Sequence, residues 1–413
     1  MFNNLVSIFG VRAVLILGGF ALTLVVAQQG GAVELGKLAV YVSAFTFFSI
    51  FGKFGNDVLL LRKISAKRKM SNKRKTIYLL YHTFRSLRFS IPVSAVCICV
   101  VYSGMIGEFS ASELVLIVTS IYLYSVLSNY SSFYKADGKI ALAPIFEISG
   151  VSTVACIVYL CLNLIGIINA QLSVFLSLCI LFFFGPIRIQ SLKKVFKSYR
   201  KRGNLRPEIY LTIVASSTYI TTTGSLLLVA FILSSEQLGI LRASERIGLV
   251  VGFSMLAIEP FLQPKIASLV AQNRFYEIRR LLRIYSLLGF TLGLTTSLMI
   301  SGNIQSLVHL FGDEFSSIDE VYIYFVISQV AFVSMNPFVT FLNIGGHETV
   351  SGWINALSVA LSCVLMPFLT HEFDVLGFSI SYCGVMSFRL LLSTIVASKI
   401  LWSEKKLGGK TDA

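Results

Sequence analysis

Charged side chains stand inside long apolar stretches of this chain: Arg12, Lys53 with Asp57, Glu147, Arg242 with Glu245 and Arg246, Glu259, and Arg389. A cation at the centre of a helix in lipid costs about 2.5–3.5 kcal/mol, so Arg12, Lys53, Arg242, Arg246 and Arg389 together approach ~15 kcal/mol, an upper bound because side chains near helix ends snorkel and pairs offset each other. Such a set can hold an anion. Cations outnumber acids in it, and the planar fork of arginine suits phosphate because it forms two hydrogen bonds at once.

Each of these residues also has a simpler reading. Arg12 lies about two turns from the expected inner surface, where it either snorkels or enters a cavity. Lys53 and Asp57 are four apart on one helix face, which is the spacing of a structural ion pair. Arg242 and Arg246 share a face beside Glu245 and serve either a site or an interfacial anchor. Arg389 is different, because no acid lies within four residues of it in the middle of its span, and this points to a water-filled or substrate-filled cavity. Asp57, Glu147 and Glu259 are the candidates for ion or proton coupling. Arg85 and Arg88 read as topology anchors, and His82 and His309 as structural or interfacial residues.

No phosphate-cradling GxxxxGK[ST] loop, HExxH helix, spaced Cys/His set or nucleophile elbow is present. These absences predict a protein without cofactor or metal, a transporter rather than an enzyme. The seven cysteines lie in or at the ends of apolar segments and read as small core residues.

The elements that must position these charges are membrane helices. With 413 residues, 55% of them hydrophobic, only 13% charged and a mean hydropathy of +0.78, the chain departs far from soluble proteins, whose charged share is nearer ~25%. A net charge of +15 raises the question of nucleic acid. Its distribution answers it: stretches 62–75 and 188–206 each carry eight Lys/Arg, whereas the short loops assigned to the outer side carry none. By the positive-inside rule the charge records topology, and the expected partner is the lipid bilayer, with no nucleic acid.

Hydropathy then predicts an all-α polytopic membrane protein of about twelve transmembrane helices in two six-helix bundles, with both termini cytoplasmic. The organising stretch is 35–75, a continuous span carrying Lys53, Asn56 and Asp57 that runs into the first basic loop. The first bundle covers 1–187 with a first outer turn at 28–34, an inner turn at Lys135-Ala136-Asp137-Gly138-Lys139 and its fifth span at 140–162, and a basic cytoplasmic linker covers 188–206. The second bundle covers 207–402, with a Ser/Thr-rich seventh span at 208–233 whose Ser and Thr residues, Thr221 among them, can bond across helices, an interfacial amphipathic segment at 263–283, an outer loop at 302–320 and a last outer turn at 370–374. A cytoplasmic tail covers 403–413. The 13–27 region has some features of a cleavable signal, but its removal would leave an odd number of spans. Half a chain apart, Leu35-Gly36 and Lys63-Ile64-Ser65-Ala66 are echoed by Leu238-Gly239 and Lys265-Ile266-Ala267-Ser268, the pattern of a parallel repeat.

Several stretches resemble the polysaccharide repeat-unit (O-antigen type) flippases of the multidrug, oligosaccharidyl-lipid and polysaccharide exporter superfamily. They are Gly36 onward to Phe51-Gly52 and Arg62; Gln237-Leu238-Gly239 with Arg242 to Arg246 and Pro264-Lys265-Ile266-Ala267; His309-Leu310-Phe311-Gly312-Asp313-Glu314-Phe315; and Asn355, Pro367 and Val375-Leu376-Gly377-Phe378-Ser379-Ile380. Where the family often has a Gly-Pro-Glu-like turn, this chain reads Gly31-Ala32-Val33-Glu34. The resemblance implies two bundles around a central cavity lined by helices one, two, seven and eight. It implies alternating access in a bacterial inner membrane, and transport of an undecaprenyl-pyrophosphate-linked oligosaccharide to the outer leaflet for lipopolysaccharide or other surface polysaccharide, alongside other polysaccharide assembly proteins. Arg12, Lys53, Arg242, Arg246 and Arg389 would receive the pyrophosphate. The rivals are a multidrug or other lipid-linked precursor exporter of the same superfamily, and a membrane glycan polymerase or ligase, which would need a larger outer loop.

Overall fold

The computed structural model describes residues 2–65, 71–103, 109–167, 169–186 and 206–408. Among them every regular element is helical. The helices are α1 (Phe2–Lys53), α2 (Asn56–Ser65), α3 (Asn72–Tyr102), α4 (Ala111–Ala136), α5 (Ile148–Leu164), α6 (Ala170–Phe183), α7 (Arg206–Ile220), α8 (Ser235–Ala271), α9 (Phe275–Gly302), α10 (Ile304–Phe311), α11 (Ile318–Ile344) and α12 (Glu348–Gly408). Short 3-10 helices stand at Ile140–Phe146, Ser225–Leu228 and Asp313–Phe315.

Two of these helices hold two spans each. A straight helix of 52 residues would measure about 78 Å, more than twice the ~30 Å of hydrocarbon. α1 is interrupted at Gly31, whose φ of 72° only glycine adopts freely, inside the expected first outer turn. α12 is interrupted at Phe373 and Asp374, inside the expected last one. The expected all-α multi-pass membrane architecture is therefore present.

Several helices differ from the expected outline. The second span is not continuous: it breaks between α1 and α2, with left-handed φ values at Phe54 (47°) and Gly55 (65°). Hydropathy misses this break because Gly52, Lys53, Gly55, Asn56 and Asp57 are averaged with the long apolar runs on either side. The seventh span is helical only to Ile220 and continues through turns and the 3-10 helix Ser225–Leu228, since four of the residues 221–225 are Ser or Thr, which compete for backbone hydrogen bonds. The fifth span starts as the 3-10 helix Ile140–Phe146 and bends by 59° into α5. The eighth helix continues to Ala271, so the expected interfacial segment 263–283 is instead the end of α8, a turn with Asn273 at φ 55°, and the start of α9. The outer loop 302–320 is largely helical, with Phe311 and Phe315 buried. The expected linker 188–206 lies outside the described residues except for Arg206.

The chain forms two compact units. The first holds residues up to Tyr219 together with Ser234–Gly239, and the second holds Ile220–Leu233 and Ile240 onward. The expected second half, from residue 207, is thus divided between them. In the first unit α1 packs against α3, α4 and α5, and α5 against α6. There the two repeated Leu-Gly openings meet: a β-carbon on Gly36 would lie 1.7 Å from the Ser235 carbonyl oxygen, and one on Gly239 would lie 2.0 Å from the Ala32 carbonyl oxygen. Small residues let helix backbones approach this closely. In the second unit α11 packs against α9 and α12, over a core that includes Leu262, Ile266, Leu282, Val333 and Phe341.

Buried hydroxyls are numerous, and most donate to their own helix. Ser90, Ser94 and Ser125 bond the carbonyls of Ser86, Ser90 and Ile121, and Ser244, Ser358 and Ser362 repeat the pattern in the second unit, each to the residue four back. A polar group placed in lipid is in this way satisfied within its own segment.

Candidate functional site

In the first unit the break at Phe54 and Gly55 organises a polar cluster. Ending α1 at Lys53 frees its carbonyl, which accepts from Asn56 Nδ2 (2.7 Å), and Asn56 Oδ1 accepts in turn from Nδ1 of the buried His82 (3.1 Å). Phe54 is held in its unfavourable φ by stacking on Phe89, with ring centroids 4.4 Å apart. Across the break Lys53 Nζ lies 2.8 Å from Asp57 Oδ2. Ser128 of α4 bridges the two, accepting from Lys53 (3.2 Å) and donating to Asp57 (3.1 Å). The expected pair is real, and it is closed by a third group. Arg85, read as a topology anchor, reaches Glu208 of α7 at 2.5 Å, and this carboxylate is only 3% exposed.

The second unit gathers the remaining arginines. Arg242 donates to Glu245 at 2.5 Å, both buried on α8. Arg246, one turn on, feels both charges, and its Nε is buried without a hydrogen-bond partner. Arg389 of α12 is 6% exposed; its Nη1 donates to Thr221 Oγ1 (3.0 Å), and its Nε is buried without a partner. Tyr382, two turns before Arg389 on the same face of α12 and 3% exposed, lies within electrostatic reach of Arg242, Glu245 and Arg389. Arg242, Arg246 and Glu245 thus sit together on α8, and Tyr382 links Arg242 and Glu245 electrostatically to the buried Arg389 of α12. Among the described residues Arg246 and Arg389 form no ion pair. A site of this kind has unused N–H donors and surplus positive charge, which is what an anionic group needs on leaving water.

The other expected residues are placed elsewhere. Glu147 caps the start of α5 at the inner turn, a third exposed, 2.5 Å from Lys135 and 3.0 Å from Ser131, rather than isolated at depth. Arg12 acts electrostatically on this same Glu147. The side chain of Glu259 lies outside the described residues. Among those described, no three His, Cys, Asp or Glu side chains converge as metal ligands would. Thr221 belongs to the expected Ser/Thr-rich seventh span. The residues that sequence reasoning missed are Ser128, Tyr382 and Glu208. Of these only Glu208 carried a signal, a lone acid at the edge of a basic stretch; the others are ordinary members of membrane helices.

No family model matches the chain, and no curated protein sequence does. Solved structures do. An outward-facing multidrug resistance MATE transporter of the MOP superfamily superposes with a TM-score of 0.62 at 11% identity, over 97% of this chain and 96% of that one. A Vibrio cholerae MATE transporter gives 0.60 at 16% identity, covering 97% of each chain. A MOP superfamily transporter from Pyrococcus furiosus, described as having a binding pocket of reverse polarity, gives 0.58 at 10% identity over 97% and 98%. The chain has the fold of the MOP superfamily transporters.

Proposed function

We propose that this chain is a flippase that moves an undecaprenyl-pyrophosphate-linked oligosaccharide from the inner to the outer leaflet of a bacterial inner membrane by alternating access, for surface polysaccharide assembly. The observation that carries the reading is the set of buried arginines in the second unit: Arg242 and Arg246 beside the single carboxylate of Glu245, and Arg389 within reach of the same Tyr382 as Arg242, with the Nε groups of Arg246 and Arg389 buried without partners. Leaving a charged donor unsatisfied in a low dielectric is costly, and a pyrophosphate would satisfy it. Arg12 and Lys53 of the first unit already act on Glu147 and Asp57, so the principal binding role falls to the three arginines and the other two are secondary. Asp57 and Glu259 remain candidates for ion or proton coupling.

The second reading is a multidrug exporter, favoured by the description of several structural neighbours as multidrug resistance transporters. A cationic drug would meet repulsion at the arginine cluster, and the Pyrococcus furiosus neighbour is evidence that pocket polarity within this fold can be reversed. Deletion followed by analysis of lipid-linked glycans separates the two. The flippase reading expects complete repeat units stranded on the inner leaflet. Normal surface glycan in the deletion strain, with increased sensitivity to cationic drugs, would establish the exporter instead.

A further inference from the structure

The first unit contains a cleft that the transport reading leaves without a role. It has a volume of about 420 Å³ and is lined by apolar or aromatic side chains, among them Tyr134, Leu142, Phe146, Val154, Ile180 and Phe184. Its origin lies in the sequence. Pro144 sits in a 3-10 helix in place of an α-helical turn, and the 59° bend into α5 opens a gap beside the ends of α4 and α6. Tyr134 and Phe146 stack as one wall, with centroids 5.3 Å apart and planes 12° from parallel. Leu142, Ile180 and Phe184 on the rim are exposed.

Charge at the mouth indicates what enters. Asp137 is bound by Lys75 at 2.6 Å, so Lys139, at 3.8 Å from the same carboxylate and 60% exposed, is incompletely neutralised. Glu147 likewise serves Lys135 directly and Arg12 at longer range. Two acids therefore face four cations at the inner turn, on the side that the positive-inside pattern assigns to the cytoplasm. An apolar cleft with an exposed rim, whose wall residue Tyr134 adjoins Lys135 and whose rim residue Leu142 bonds the Lys139 carbonyl, matches one class of molecule, an anionic lipid with its tail in the cleft and its phosphate at the lysines.

We propose that this cleft binds an anionic phospholipid of the inner leaflet, with one acyl chain against Tyr134, Phe146 and Ile180 and the phosphate at Lys139. The site is independent of the substrate reading and does not use the arginine cluster. Native mass spectrometry of the full chain with dioleoylphosphatidylglycerol or dioleoylphosphatidylcholine tests it. One phosphatidylglycerol is retained about fivefold more strongly than phosphatidylcholine, as expected where a lysine near the membrane surface is worth about 1 kcal/mol. Lys139→Gln removes the preference and Lys139→Arg keeps it. Ile180→Trp fills the cleft and lowers retention of both lipids, whereas Ile157→Trp, on an exposed face of α5, does not. If Ile180→Trp does not purify as a folded protein, Leu142→Trp at the exposed rim takes its place. Equal retention of the two lipids, non-saturating uptake of several lipids, or retention unchanged by the cleft-filling tryptophan would overturn the proposal.

Discussion

Gly36 and Gly239 interlock: each stands where a methyl group would enter the backbone of the opposing helix, against Ser235 in one case and Ala32 in the other. Backbone carbonyls cannot swing aside as the end of a side chain can. Gly36→Ala and Gly239→Ala are each expected to destabilise the protein by about 1–3 kcal/mol, the usual cost of overpacking. Gly302, with open space around its α-carbon, is the control. Thermal unfolding in detergent should show a clear loss for the first two and little change for Gly302→Ala.

Arg389→Ala is expected to reduce transport strongly, and Arg389→Lys to retain part of it, because lysine keeps the charge but loses the fork. Thr221→Val removes the hydrogen bond from Arg389 Nη1 to Thr221 Oγ1, a neutral-to-charged bond worth about 1.5–3 kcal/mol, and should give an intermediate loss. Accumulation of lipid-linked repeat units on the inner leaflet is the readout. Normal surface glycan in a well-expressed Arg389→Glu variant would remove this residue from the mechanism.

The Lys53, Ser128 and Asp57 cluster predicts asymmetry between single and double substitutions. Lys53→Met leaves Asp57 without its partner and is expected to cost about 3 kcal/mol, at the low end for a buried pair because both groups keep some exposure. Lys53→Met combined with Asp57→Leu should recover much of that loss. Unfolding midpoints of the three variants check it, and additive losses would show that the pair is not coupled.

Arg85 and Glu208 tie α3 to the start of α7 within the first unit. A double-mutant cycle with Arg85→Ala and Glu208→Ala should give a coupling of about 0.5–3 kcal/mol, and the exchange Arg85→Glu with Glu208→Arg should recover stability relative to either single reversal. Arg88, exposed on the same helix, should show no coupling to Glu208.

The membrane architecture was legible in the sequence because hydropathy and loop charge act over twenty residues at a time. The expected turns at 28–34 and 370–374 contain the interruptions at Gly31 and at Phe373 and Asp374. The break at Phe54 and Gly55 was not legible by hydropathy, since Gly52, Gly55, Asn56 and Asp57 are averaged with apolar runs on both sides and the left-handed Phe54 depends on stacking with Phe89, a partner distant in sequence. Arginines announce themselves in lipid by cost alone, so Arg242, Arg246 and Arg389 could be named without a structure. Their partners could not be matched to them: Thr221 is one of several hydroxyls in a Ser/Thr-rich span, and only the fold sets it against Arg389, while Tyr382 is a common kind of residue in a membrane helix.

The self-directed serines carry a consequence for motion. Because Ser90, Ser94, Ser125, Ser244, Ser358 and Ser362 donate along their own helices, sliding one helix past its neighbour strands none of these donors. Contacts between such faces depend on shape more than on directional bonds, so a rearranged packing starts with little polar penalty. At these positions the bundle is lubricated from within, since each serine keeps its own hydrogen bond whichever neighbour it faces.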